Sequence, residues 1–165
     1  MNDVKIRPMD RSDWEAVCSI YRSGIATGVA TFETHCPTYD QWDCSHCSHS
    51  RLIMEDAEGV IGWAALSPVS SRQAYAGVAE ASIYMAERAR GKGLGVLLNE
   101  ALIRSAVENG IWTVQAGIFQ DNTASIRLAE KCGFRMVGYR ERIARDSLGH
   151  WRNTVLMEWR RPDDL

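Results

Sequence analysis

A glycine-rich run, Arg88-Ala89-Arg90-Gly91-Lys92-Gly93-Leu94-Gly95, joins a predicted strand to the most strongly patterned helix of this 165-residue chain. Glycine lets a backbone turn tightly and approach a ligand closely. The first turn of the following helix presents unpaired N–H groups and the positive end of the helix dipole. A phosphate group suits this arrangement, and Arg88, Arg90 and Lys92 add positive charge. The alternative is a glycine-rich turn with solvated charges.

The glycine spacing departs from two common nucleotide-binding patterns. A Walker loop needs G-x-x-x-x-G-K-[ST], whereas Lys92 is followed by Gly93. The dinucleotide pattern needs G-x-G-x-x-G, whereas Gly91, Gly93 and Gly95 are spaced two and two. The run therefore predicts a phosphate-binding turn of another kind.

Hydrophobic periodicity predicts strands and helices that alternate along the chain. Apolar residues three or four apart predict helices, and strict alternation predicts strands. The predicted helices cover about 11–26, 38–47, 93–108 and 121–131, and the predicted strands cover 4–8, 51–55, 60–66, 79–85, 111–119, 134–142 and 154–160. Because the ends of the pattern are hairpin-like, we expect an α/β (α+β) fold with a mixed sheet and helices on both faces.

Two details of the helices are also predicted. A capping box at Ser12 and Glu15 begins the first helix. In the helix after the glycine-rich run, Leu94, Leu97 and Leu98 lie on the apolar face.

Length and composition exclude several classes of protein. The length suits one domain, 1–165, and 45% of the residues are apolar, which is too many for a disordered chain. No run is long and apolar enough to span a membrane. The net charge of -2 argues against a nucleic-acid-binding protein. The chain lacks an N-terminal apolar signal and has five cysteines, so we expect a cytoplasmic protein with free thiols.

The run Arg90-x-x-Gly93-x-Gly95 resembles the R/Q-x-x-G-x-G/A signature of the GCN5-related N-acetyltransferase (GNAT) family. Further short motifs follow the order of one branch, which contains phosphinothricin and methionine sulfoximine acetyltransferases. These motifs are Thr31-Phe32-Glu33, Glu80-Ala81-Ser82-Ile83-Tyr84, Asn122-x-x-Ser125, Gly133-Phe134 and Gly149-His150-Trp151. The resemblance implies a mostly antiparallel twisted sheet with a splayed cofactor cleft, and acetyl-CoA as the acetyl donor.

The resemblance also implies which residues bind the cofactor. Strand residues Ile83, Tyr84 and Met85 would pair with the pantetheine arm through their backbone. Asn122 and Ser125 would contact the cofactor near a helix start, where Asn122 is alternatively a plain helix cap. The residues matching the pyrophosphate loop are Arg90, Gly91, Lys92, Gly93, Leu94, Gly95 and Val96.

The acceptor side follows from the same resemblance. Glu80 matches a glutamate proposed as the general base, since a protonated amine must lose a proton before it attacks a thioester. Phe32 and Glu33 would line the pocket of a small-molecule amine. The acceptor would also enter near Arg72 and Tyr75, and the arginine fork of Arg72 would suit an amino-acid carboxylate. Structural roles are the alternative for Glu80, Phe32 and Arg72, whereas Glu33 could instead share the base role.

The chain departs from the family at the general acid. Ala129 stands where family members carry tyrosine or histidine, so no proton donor to the leaving thiolate is implied, and Tyr139 is only a guess. The remaining alternatives are a polyamine, aminoglycoside or protein N-terminus as acceptor, or an acetyl-CoA-binding module without activity. The branch often forms homodimers, which we expect here.

A segment rich in cysteine and histidine is the one part that the resemblance does not explain. Zinc takes such ligands, but a structural zinc site normally draws on two separated ligand pairs. We therefore expect no metal here, and thiols on a partly exposed helix. The segment contains His35, Cys36, Cys44, His46, Cys47 and His49.

Overall fold

The computed structural model describes residues 3–163, which form seven strands and four α-helices around one sheet. The strands are β1 (Lys5–Pro8), β2 (Leu52–Asp56), β3 (Gly59–Pro68), β4 (Val78–Met85), β5 (Thr113–Phe119), β6 (Arg135–Arg145) and β7 (Trp151–Arg160). The helices are α1 (Trp14–Ala26), α2 (Tyr39–Ser45), α3 (Leu94–Glu108) and α4 (Thr123–Lys131).

The sheet has the order β1-β2-β3-β4-β5-β7-β6, and all neighbouring strands except one pair are antiparallel. The exception is β4 beside β5, which run parallel over only three residue pairs, ending at Glu80 opposite Gln115. Beyond that pair the two strands separate. The predicted mixed, mostly antiparallel sheet with a splay is therefore confirmed.

One face of the sheet packs against α1 and α2 through an aromatic core. Val17 of α1 and Trp42 of α2 bury their side chains against Ile53 and Trp63 of the sheet. Val17, Ile20, Tyr21 and Gly24 recur at helical spacing on the buried side of α1. This aromatic core lies under the end of the cleft described below.

The other face packs against α3 and α4. Leu98, Leu102 and Ala106 of α3 recur every four residues and are fully buried against the sheet. The prediction that Leu97 lies on this face is wrong, because Leu97 is 45% exposed. Asn99, rather than Leu97, is buried beside Leu98 and Leu102.

The start of α1 differs from the predicted capping box. A short 3-10 helix, Arg11–Asp13, leads into α1, and Asp10, not Ser12, caps that helix: its carboxylate accepts from the Ser12 amide at 2.9 Å. The Asp13 carboxylate in turn accepts from the Asp10 amide at 2.7 Å and from both terminal nitrogens of Arg7 at 2.8 Å. Asp13, three residues after Asp10, supplies the carboxylate that Glu supplies in the predicted capping box.

The cysteines also differ from expectation, since Cys18 and Cys36 form a disulfide with Cα atoms 6.1 Å apart. The prediction of free thiols is wrong for this pair and correct for Cys44, Cys47 and Cys132. Cys18 lies on the buried side of α1, and the segment between α1 and α2 returns past it. Because the two cysteines are 18 residues apart, no local sequence pattern predicts that they pair.

No helix within the described range combines the length and apolar character needed to cross a membrane.

Candidate active site

The separation of β4 from β5 opens a cleft of about 650 Å³. Residues from β4, β5 and α4 line one part of it, and residues from α1, α2 and the segment between them line the other. The cleft contains eight of the predicted site residues: Phe32, Glu33, Glu80, Ile83, Tyr84, Met85, Asn122 and Ser125.

One wall of the cleft is a strand edge that lacks a neighbour. Residues from Ala81 to Met85 pair with β3 on one side, and no β5 partner follows Glu80 on the other. Unpaired backbone groups of this kind can pair with an extended ligand chain. Ile83, Tyr84 and Met85 therefore lie along this free strand edge.

The glycine-rich run forms a tight turn into α3. Gly91 and Gly93 have φ of 72° and 76°, in the left-handed region that other residues adopt only with strain. Gly93 is the N-cap residue, directly before α3. No side chain of the described residues caps this helix start. The first-turn N–H groups of α3 are thus available to an anion.

Gly95 has a different role, because its lack of a side chain allows α3 and α4 to pack closely against each other. A Cβ atom at Gly95 would lie 2.5 Å from Cδ1 of Leu128. Leu128 lines the cleft. Close packing at Gly95 therefore brings α4 to the cleft wall.

The three cations of the turn are not equivalent. Arg88 donates to both carboxylate oxygens of Asp56, at 2.6 and 3.0 Å, and lowers the pKa of Asp56 to about 2. The charge of Arg88 is therefore paired with a carboxylate of the protein. Arg90 donates to the Met85 carbonyl at 3.1 Å and to Ser23 at 3.0 Å, which ties the turn to the end of β4. Lys92 is exposed.

Glu80 lies at the point where β4 and β5 separate. It belongs to the last residue pair that joins the two strands, and the Gln115 amide donates to its carboxylate at 3.2 Å. The carboxylate therefore has a fixed donor on one side and lines the cleft on the other. A proton acceptor is thus held at the head of the cleft.

Aromatic rings surround the part of the cleft that contains Glu33. Phe32 packs edge-on against Phe119, with centroids 4.5 Å apart. Tyr84 stacks on Trp63 at 5.0 Å and meets Tyr21 edge-on at 4.9 Å. Burial raises the pKa of Tyr21 and of Tyr84, and the negative charge of Glu33 acts in the same direction. Both phenols therefore stay protonated at neutral pH.

Three residues in α2 and directly after it line the cleft, and none of them was predicted as a site residue: Trp42, Ser45 and His46. The His46 ring stacks on Trp42 with centroids 4.3 Å apart, and its Nδ1 lies 2.7 Å from the Trp42 carbonyl oxygen. Burial lowers the pKa of His46. The density of histidine and cysteine in this segment raised the question of a metal and did not predict the stacked rings.

Asn122 caps α4 and holds a neighbouring segment. Its side-chain oxygen accepts from the Ser125 amide at 3.2 Å, and its nitrogen donates to the Val29 carbonyl at 3.1 Å. The alternative of a helix cap is therefore correct. The contact with Val29 connects α4 to the segment that contains Phe32 and Glu33.

The remaining predicted residues lie outside the cleft lining. Arg72 and Tyr75 are exposed on the loop between β3 and β4, with the guanidinium 5.7 Å from the tyrosine ring centroid. Tyr139 is exposed on β6 and is not among the lining residues, so it is a poor replacement for the family acid. Ala129 does line the cleft.

Between residues 3 and 163, no group of three or more His, Cys, Asp and Glu side chains is arranged to hold a metal ion. Cys36 is bonded to Cys18 rather than placed beside Cys44 and Cys47.

The free edge of β4 suits an extended ligand chain, and the glycine turn at the start of α3 suits a phosphate group. A sequence model of the Acetyltransferase (GNAT) family matches residues 14–134, and the chain belongs to that family.

Individual relatives agree with this family. The chain is 32% identical over 157 residues to phosphinothricin N-acetyltransferase of Streptomyces coelicolor, covering 90% of this chain and 92% of the relative. It is 34% identical over 108 residues to an L-methionine sulfoximine/L-methionine sulfone acetyltransferase of Pseudomonas aeruginosa, covering 65% and 62%. A phosphinothricin acetyltransferase from Sinorhizobium meliloti, solved in complex with acetyl-CoA, superposes with a TM-score of 0.86 at 28% identity, covering 95% of this chain and 88% of that one.

The predicted family, its phosphinothricin-type branch and the fold are confirmed. The protein is an acetyl-CoA-dependent N-acetyltransferase.

Proposed function

We propose that the chain, acting as one cytoplasmic domain over 1–165, transfers acetyl from acetyl-CoA to the primary amine of a small amino-acid analogue of the phosphinothricin or methionine sulfoximine type. The observation that carries this proposal is the position of Glu80 at the fork of β4 and β5. There a proton acceptor, a free strand edge and an aromatic pocket open into the same cleft. The substrates named for the relatives from Streptomyces coelicolor and Pseudomonas aeruginosa support the choice of acceptor.

In this proposal the cofactor follows the free edge of β4. The pantetheine arm pairs with the backbone of Ile83, Tyr84 and Met85. Its pyrophosphate lies on the turn from Arg90 to Val96, against the first-turn N–H groups of α3. Asn122 and Ser125 border the arm from α4. Because Arg90 is held by Met85 and Ser23, Lys92 is the freer cation for the phosphates.

Direct transfer then needs one proton acceptor and one polarised carbonyl. Glu80 takes a proton from the acceptor ammonium, directly or through water. The amine nitrogen forms a bond to the acetyl carbon, and the carbon–sulfur bond breaks as coenzyme A thiolate leaves. Backbone N–H groups near Ile83 stabilise the oxyanion between these events. With Ala129 in the lining, water carries the second proton released by the nitrogen to the leaving thiolate, and the first proton passes from Glu80 to solvent after the transfer.

The acceptor enters on the side of the cleft opposite the cofactor. Phe32 gives an apolar wall, and the Glu33 carboxylate attracts the ammonium. Since β3 ends at Pro68, opposite Ala79, the following loop emerges beside Glu80. Arg72 and Tyr75 on that loop border this end, where a guanidinium suits the carboxylate of an amino acid.

A panel assay tests the proposal. Release of coenzyme A thiol is measured with phosphinothricin, methionine sulfoximine, spermidine, an aminoglycoside and a peptide N-terminus, and the mass of each product is determined. We expect N-acetylation of the amino-acid analogues with kcat/KM at least about tenfold above the other amines, a 1.4 kcal/mol preference. Binding of acetyl-CoA without acetylation of any amine would overturn the proposal, and preferred acetylation of spermidine would overturn the acceptor assignment.

We also propose a homodimer formed through the exposed surface of β6, β7 and their connection. Exposed apolar patches of this kind mark interaction sites, and β6 is an edge strand. Sedimentation at several concentrations should give twice the monomer mass, and Trp151→Lys should shift the mass toward the monomer. A monomer at every concentration would contradict the dimer. The exposed apolar side chains are Met136, Val137, Tyr139, Ile143, Leu148 and Trp151.

A further inference from the structure

The segment between α1 and α2 carries two of the proposed acceptor residues, Phe32 and Glu33, and has no regular secondary structure from Gly28 to Pro37. We refer to residues 27–37 as the acceptor segment. Hydrogen bonds from α4 and β7 hold its beginning: Asn122 donates to the Val29 carbonyl at 3.1 Å, and Arg152 donates to the Gly28 carbonyl at 3.0 Å.

The end of the acceptor segment is held differently. The hydrogen bonds of Glu33 and Thr34 that are seen among the described residues stay within the segment, to Thr31 and His35. Three residues after Glu33, the disulfide joins Cys36 to Cys18 in α1. Pro37 follows at once and lines the cleft. The disulfide is therefore the covalent tie between this end of the segment and α1, in addition to the start of α2 that follows.

We propose that Cys18 and Cys36 form a reversible thiol–disulfide site that sets the position of the acceptor segment and, with it, the affinity for the acceptor. The part concerning affinity rests on the proposed function. The site reacts with low-molecular-weight thiols and disulfides of the glutathione type. In the oxidised protein the segment is fixed against α1, and in the reduced protein its end is released.

The exchange is balanced in both directions. A thiolate attacks the Cys36 sulfur, which is half-buried, and the buried Cys18 sulfur leaves and takes a proton. A second thiol then displaces the first from Cys36, so that two thiols become one small disulfide and the protein gains two thiols. In the reverse direction the protein loses two electrons and two protons to a small disulfide, which becomes two thiols.

The cellular setting and the other cysteines favour a switch at this pair. Disulfides in reducing compartments are usually transient and regulatory, and the protein is proposed to be cytoplasmic. Burial raises the pKa of Cys47 and of Cys132, which keeps them as poorly reactive thiols. Cys44 is exposed and unpaired, so it must be removed in any test.

The test uses the full chain with Cys44, Cys47 and Cys132 replaced by serine, which leaves only the proposed pair. The protein is equilibrated with mixtures of reduced and oxidised glutathione. Three properties are measured: the Cys18–Cys36 cross-linked peptide by mass spectrometry, amide hydrogen exchange over residues 27–37, and KM for the amine. The matched control carries Cys36→Ser in the same background.

We expect the cross-linked peptide to appear with oxidised glutathione and to disappear with reduced glutathione. On reduction, exchange over 27–37 should accelerate, and the acceptor KM should rise about tenfold if the competent segment position falls to about a tenth of the population. The Kd of acetyl-CoA, measured directly, should stay the same. The Cys36→Ser control should behave as reduced protein under both conditions.

Different outcomes separate the two proposals. Absence of the cross-linked peptide at every glutathione ratio, or a cross-link that leaves both exchange and KM unchanged, overturns the redox site. No turnover of any amine, together with a cross-link and redox-dependent exchange, overturns the proposed function and supports the redox control of the segment.

Discussion

The turn at Gly93 provides a sharp test of the proposed cofactor site. Gly93 has φ of 76°, and a Cβ atom there would meet nothing within 4 Å. Alanine at this position therefore causes no clash, and its cost is the left-handed backbone alone, about 1–2 kcal/mol. For a chain of this length that cost lowers Tm by about 2–8 °C.

Gly110 is a matched control at the opposite end of the same helix. It follows the end of α3 with φ of 81° and equally open space around its Cβ position. Gly93→Ala and Gly110→Ala should therefore lose similar stability. Only Gly93→Ala should weaken acetyl-CoA binding, by about tenfold or 1.4 kcal/mol, because relaxing the turn moves the first-turn N–H groups of α3.

Thermal unfolding gives the stability of each variant, and titration calorimetry gives the Kd of acetyl-CoA. Equal loss of acetyl-CoA affinity in both variants would show that stability alone is responsible. Unchanged affinity in Gly93→Ala would refute the placement of the pyrophosphate at this turn.

Three further predictions concern the base, the acid stability and the helix packing. Glu80→Gln should lower kcat by about 10²–10⁴-fold and leave the Kd of acetyl-CoA unchanged. The amount of acetylated product at fixed times measures this effect. Full activity of the variant would exclude Glu80 as the base. Asp13→Asn should cost about 1.5–3 kcal/mol at pH 7 in urea unfolding. Arg7 lowers the pKa of Asp13, so this contribution is present above the unfolded pKa of about 3.9 and is lost as pH falls through the folded value; a difference that does not shrink at all as the pH falls from 7 into the acid range would contradict the ion pair. Gly95→Ala should lower the free energy of unfolding by about 1–3 kcal/mol, because the added methyl group overpacks against Leu128. The double variant Gly95→Ala/Leu128→Ala should recover part of that loss. Additive losses of stability from the two substitutions would contradict this contact.

The parts of the site that were predictable from the sequence are those encoded by consecutive residues. The glycine turn, the strand with Glu80 and the capped helix at Asn122 each depend on a few neighbouring positions, so their residue types and spacing carry the information. The family resemblance then placed these pieces in one cleft. Arg88 shows the limit of that reasoning, because its partner Asp56 comes from a distant hairpin.

The features that were missed depend on contacts between distant segments. Cys18 and Cys36 meet only because the segment after α1 folds back along the helix. His46 follows α2 and stacks on Trp42 of that helix, and the position of Trp42 is set by its burial against Ile53 and Trp63 of the sheet. Leu97 and Asn99 differ from a simple apolar pattern because the buried stripe of α3 is centred on Leu98 and Leu102. Periodicity predicts that a helix has a buried face, but tertiary packing decides the edges of that face.

The most direct test of the central claim is the initial rate of coenzyme A thiol release from acetyl-CoA with phosphinothricin or methionine sulfoximine as acceptor. We predict a saturable, acceptor-dependent rate with one N-acetylated product formed for each thiol released. A protein that binds acetyl-CoA but shows no acceptor-dependent thiol release would contradict the claim.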